Sequence, residues 1–81
     1  MTLLEAALLL KEKAIPTELY SLGKLGRGEN IGIMWGQDRW QVFFNERGYA
    51  DSIEFFDDEE ATVARFMQRL AEHVRDYGGT L

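Results

Sequence analysis

The chain has 81 residues, no cysteine, one histidine and a net charge of −5, from fourteen Asp and Glu against nine Lys and Arg. Its length allows one small core with little room beside it for an enclosed active site, and the missing cysteine excludes disulfide staples, thiol nucleophiles and thiolate metal sites. The acidic balance is the reverse of what nucleic-acid binding requires and suits a basic protein partner.

Thr2, with Glu5 three residues on, reads as a capping box that opens a helix running to Lys13 or Ala14, short of Pro16. Leu3, Leu4, Ala6, Ala7, Leu8, Leu10 and Ala14 cover about half of its circumference, wider than the usual core-facing stripe of about 100°. Leu9 falls on the far side. A helix so apolar either buries itself in its own fold or meets a second chain, which makes Leu4, Leu8 and Leu9 a candidate homodimer contact. The run Met1–Leu10 is too short to span a bilayer and lacks the basic start and cleavage site of a signal peptide, so a cytoplasmic protein with no membrane role is expected.

Residues 16–28 read as a long connection, with Tyr20, Leu22 and Leu25 pinning it to the core. Gly23-Lys24-Leu25-Gly26-Arg27-Gly28 resembles a phosphate cradle, but it leads into a strand and lacks the Gly-Lys-Ser/Thr ending that opens a helix, so a connector is expected.

From Asn30 to Phe56 apolar and polar residues alternate in three runs, the period of half-buried strands. Pairing Gly36 with Arg39 sets Trp35 opposite Trp40, Ile33 opposite Val42 and Ile31 opposite Phe44. Pairing Glu46 with Tyr49 sets Val42 opposite Ile53 and Trp40 opposite Phe55. Both registers collect Ile31, Ile33, Trp35, Trp40, Val42, Phe44, Ile53 and Phe55 on one dry face, because a one-residue slip would scatter them over both. Asp57 or Asp58 then caps a second helix with Val63, Phe66, Met67, Leu70, Val74 and Tyr77 as its core stripe, and Gly78 and Gly79 stop it. The expected architecture is a single α+β domain over 1–81: a three-stranded antiparallel meander with an N-terminal and a C-terminal helix (α-β-β-β-α) packed on one face.

The opposite face is read as Asn30, Gly32, Met34, Gln41, Phe43, Asn45, Ala50, Ser52 and Glu54. Its exceptions to polarity, Met34 and Phe43, fit either a ring covering a glycine or an anchor for a partner. Asp58 and Glu59, in an acidic run from Asp57 to Glu60, complement a helix dipole and could also dock a basic surface. Met34, Phe43, Glu54, Asp58 and Glu59 are therefore the candidate partner-binding residues. A lone His73 near Glu72 and Asp76 makes neither a metal cluster nor a triad, and Arg65, Arg69 and Arg75 can pair with those two acids along the helix. No catalytic residue, metal ligand or cofactor is expected, and no enzyme activity.

The segment Trp40-Gln41-Val42-Phe43-Phe44-Asn45-Glu46-Arg47-Gly48, with Ile15-Pro16, Tyr20-Ser21-Leu22-Gly23 and Phe56 before an acidic helix start, resembles small bacterial immunity proteins found beside polymorphic secreted toxins. The likeness runs from about Ile15 to Leu70. It implies stoichiometric inhibition of a cationic toxin, often a nuclease, and transfers no site residues. The alternative expectation is an assembly subunit that self-associates through the first helix.

Overall fold

The computed structural model describes residues 1–26 and 28–81; Arg27, part of the cradle-like stretch, lies outside the described residues. The protein is α+β, with two helices and a four-stranded mixed sheet. The elements are α1 (Leu3–Glu12), a 3-10 turn (Thr17–Leu19), β1 (Tyr20–Leu22), β2 (Glu29–Gly36), β3 (Arg39–Glu46), β4 (Tyr49–Phe56) and α2 (Glu59–Asp76). No helix among the described residues is long and apolar enough to cross a membrane.

The capping box is formed: Glu5 N donates to Thr2 Oγ1 at 3.1 Å and Thr2 N to Glu5 Oε1 at 2.7 Å. The helix ends at Lys13 because Ala14 turns left-handed (φ 55), letting Ile15 N reach Leu10 O and Ala14 N reach Lys11 O. Ala6 and Leu10 enter the common core. Leu4 and Leu8 stay 69% and 60% exposed on the opposite side and Leu9 is half-buried, so the broad apolar arc is only partly self-buried.

The sheet order is β1-β2-β3-β4, and β1 is the addition to the expected meander. It runs parallel to β2, with Tyr20 beside Ile31 and Leu22 beside Ile33. The connecting segment must therefore double back toward the start of β2. It does so over the sheet face away from the helices: a Cβ on Gly26 would lie 2.9 Å from Ser21 Cβ and 3.0 Å from Asn30 Nδ2. At its end Gly28 O accepts from Arg47 N (2.9 Å) and Asn45 Nδ2 (3.2 Å). Tyr20 and Leu22 pack on the core as anticipated, whereas Leu25 is exposed.

The β2–β3 hairpin has the expected register from Gly36↔Arg39 to Ile31↔Phe44. Gln37 and Asp38 both take positive φ, as do Arg47 and Gly48, so each turn twists with its strands despite residues that are not ideal for it. The β3–β4 hairpin starts as expected at Glu46↔Tyr49 and Phe44↔Asp51, then shifts: Val42 pairs with Glu54 and Trp40 with Phe56. Ser52 and Ile53 together oppose Phe43, a bulge with Ser52 at φ 50.

That extra residue reverses the facing of the rest of β4. Ile53 and Phe55, expected in the core, are 41% and 49% exposed, while Phe56 packs against the core and Glu54 points to α2. On α2, Val63, Phe66, Leu70 and Val74 are buried and Met67 half-buried; Tyr77 is exposed as the C-cap before Gly78 and Gly79.

Phe43 faces away from the helices as expected, yet it is fully buried. Its ring lies over Gly32, where an added Cβ would sit 2.3 Å from Cε2 and 2.8 Å from Ser21 Oγ. Gly32→Ala should therefore cost about 2–3 kcal/mol of stability through overpacking. Combined with Phe43→Leu, the loss in urea denaturation should fall clearly below the sum of the single losses, the mark of direct contact. Additive losses would mean that the two residues do not touch.

Candidate functional site

The five expected contact residues do not form one patch. Met34 is half-buried on the outer sheet face, its terminal methyl 3.0 Å from where a Cβ on Gly36 would stand. Phe43 shares that face but is covered, so it is no anchor. Gly26 and Gly28 of the returning connection and the Ser21, Asn30 and Asn45 side chains occupy the same end of the face, with Ser21 Oγ donating to Asn30 Oδ1 at 3.2 Å.

Glu54 lies on the other face because of the bulge. Its Oε1 accepts from Arg65 Nε at 2.8 Å and from Arg69 Nη1 at 3.1 Å. These arginines were expected to pair with Glu72 and Asp76 along α2; a carboxylate presented by the neighbouring strand takes them instead. Arg69 also donates to Ser52 O (2.9 Å) and, at longer range, to Val42 O (3.4 Å), bridging the two strands where their ladder is interrupted.

Asp58 and Glu59 hold helix ends. Asp58 Oδ1 accepts from Ala61 N at 2.6 Å as the α2 N-cap, and Glu59 Oε2 accepts from Leu3 N at 2.9 Å, satisfying an unpaired N–H in the first turn of α1. The carboxylates expected to dock a partner therefore tie the two helix starts together.

Between α2 and β4 runs an open groove of about 330 Å³ lined by Ser52, Arg65, Arg69, Glu72, His73 and Asp76. Serine, histidine and aspartate meet there, but no hydrogen bond joins them. His73 Nε2 is buried without a partner, its ring set edge-on to Phe44 (centroids 6.0 Å) and Tyr77 (5.1 Å). The histidine acts as a packing ring between aromatics. Among the described residues no group of three or more His, Cys, Asp or Glu is placed to hold a metal.

The surface that sequence reasoning missed is the β4 side of the outer face. Phe55 lies beside Gln41 across the ladder, Met34 continues that row on β2, and Ile53 stands next to Phe43. The Arg39 guanidinium covers the Phe55 ring at 5.4 Å. The adjacent pair Phe55-Phe56 carried a signal for this: neighbouring strand residues point to opposite faces, so one of the two rings had to leave the core. Comparison with protein-family models, with curated proteins and with solved structures returned no match.

The bridging role of Arg69 is testable. Its side chain is largely buried and its bonds carry a charge, so Arg69→Met should destabilise the fold by about 2 kcal/mol in urea denaturation. Arg65→Met, at a more exposed pair, should cost under about 1 kcal/mol. Equal losses would remove the bridge as the distinguishing feature.

Proposed function

We propose that this protein acts without chemistry of its own, by docking a protein partner on the outer face of its sheet. The observation that carries this reading is the β4 bulge. A regular strand would bury Ile53 and Phe55, each worth roughly 1.5–3 kcal/mol when fully covered. A small domain is short of such burial, yet here both stand half-exposed beside Met34, on a rigid surface framed by Arg39. Bulges of this kind are often used to re-aim side chains next to functional sites, and exposed aromatics on a fixed scaffold are what partner surfaces grip.

The resemblance to bacterial immunity proteins extends this reading to stoichiometric neutralisation of a cognate toxin in the cytoplasm, and the −5 charge suits a cationic one. An assembly subunit is the second reading, favoured by Leu4 and Leu8 on the free side of α1. Two leucines on a ten-residue helix fall well short of the roughly 800 Å² per partner of a stable interface, so the outer sheet face is preferred.

Ile53→Ser with Phe55→Ser should leave the thermal midpoint within a few degrees and weaken a 1:1 complex with a protein partner captured by the wild-type protein at least tenfold by calorimetry. An unaltered affinity would remove the outer face. Sedimentation equilibrium should return a monomer; a dimer abolished by Leu4→Lys with Leu8→Lys would favour assembly instead.

A further inference from the structure

The ends of β2, β3 and β4 form an exposed aromatic rim. Trp35, Trp40 and Phe56 lie in one cross-strand row facing the helices. Trp35 was expected inside this row but stands at its open end, 53% exposed, its ring held edge-on by Trp40 with centroids 5.6 Å apart. On the reverse face of the same strand ends, Phe55 carries Arg39. The rim thus presents an indole fixed by its neighbour, which binds with little loss of side-chain freedom.

The distribution of charge says what covers it. Asp38 sits in the turn between Trp35 and Trp40, and Asp57, Asp58, Glu59 and Glu60 follow directly on Phe56. The bond from Leu3 N to Glu59 brings the first turn of α1, with Glu5, to the same end. Hydrogen bonding with Thr2 holds the Glu5 carboxyl below the ordinary carboxylate range, which keeps it ionised. Six of the fourteen carboxylates therefore gather here, alongside the Arg39 guanidinium and the N-terminal ammonium, which lies 3.7 Å from Glu60 Oε1. Asp38 and Asp57 are exposed and make no hydrogen bond.

We propose that these strand ends, centred on Trp35, dock a lysine- and arginine-rich protein segment. This rests on the reading as a binding protein and names its partner chemistry. The six carboxylates attract and orient the basic segment, and the indole takes an arginine or lysine stem against its face, the contact that Arg39 already makes with Phe55. Asp58 and Glu59, which accept from Ala61 N and Leu3 N at the two helix starts, lie in the same place.

The test is selection of a displayed library of random 12-residue peptides on the wild-type protein, followed by fluorescence titration with the synthetic peptides recovered. The peptides should carry an excess of Lys and Arg and bind more weakly as salt rises. Trp35→Ala and, separately, Asp57→Lys with Glu60→Lys should each weaken them at least tenfold. The charge variant alters only exposed side chains, so it remains informative if Trp35→Ala does not fold. Recovered peptides without a basic excess, or affinities unmoved by both variants, would overturn the proposal. Affinity lost only with Ile53→Ser and Phe55→Ser would overturn it while leaving the outer sheet face as the binding surface. Insensitivity to every variant would remove both.

Discussion

A single extra residue in β4 determines how this surface is arranged. With Ser52 and Ile53 together opposite Phe43, every later side chain of the strand changes sides. Phe56 replaces Phe55 against the core, Glu54 turns to the helix, and Ile53 and Phe55 turn to solvent. The bulge requires Ser52 to adopt a left-handed conformation that a side chain disfavours. Two contacts hold it there: Asp51 Oδ1 accepts from Ser52 N at 2.8 Å, and Arg69 takes Ser52 O from the helix side. The bond from Arg69 to Glu54 then fixes α2 over the strand whose facing the bulge has set, so helix position and strand register support each other.

The opposite end of the sheet meets a different constraint. Three residues of β1 lie parallel to β2, a pairing that usually needs a crossover of a dozen residues or more. So short a strand needs only a short return to β2, with Gly26 close against the outer face, and this is where glycine is needed. Gly26 admits the connection against Ser21 and Asn30, and Gly32 admits the Phe43 ring beneath. The outer face is thereby divided into a region closed by the chain itself, over Phe43, and an open one along β4 and the strand ends. The ring covering a glycine is the reading of Phe43 that the packing supports.

Local signals were legible in the sequence. The Thr2–Glu5 box, the first hairpin register, the Phe66–Leu70–Val74 stripe and the Gly78 stop each depend on residues close in the chain, and each is formed. What escaped depends on contacts at a distance. Tyr20-Ser21-Leu22 is too short for alternation to stand out from a loop, and only its pairing with β2 makes it a strand. The bulge carries no glycine to announce it, since Asp51 and Arg69 do the work a glycine would. Asp58 and Glu59 looked equally suited to capping and to docking; the arrival of the α1 N-terminus assigned Glu59 its partner, which no local pattern encodes.

The two exposed regions share a physical logic. A chain of 81 residues has few apolar side chains to leave outside a core. In these two regions the exposed ring has a neighbour against it: Trp40 against Trp35, Arg39 over Phe55. Rigid aromatic surface of this kind lowers the entropy cost of association. The carboxylates gathered at the same strand ends place negative charge beside the exposed indole, the arrangement that would turn a cationic partner of the proposed kind toward the aromatic rim. Field and anchor coincide because both follow from where β4 ends and α2 begins: Phe56 closes the aromatic row, and the next four residues are acidic.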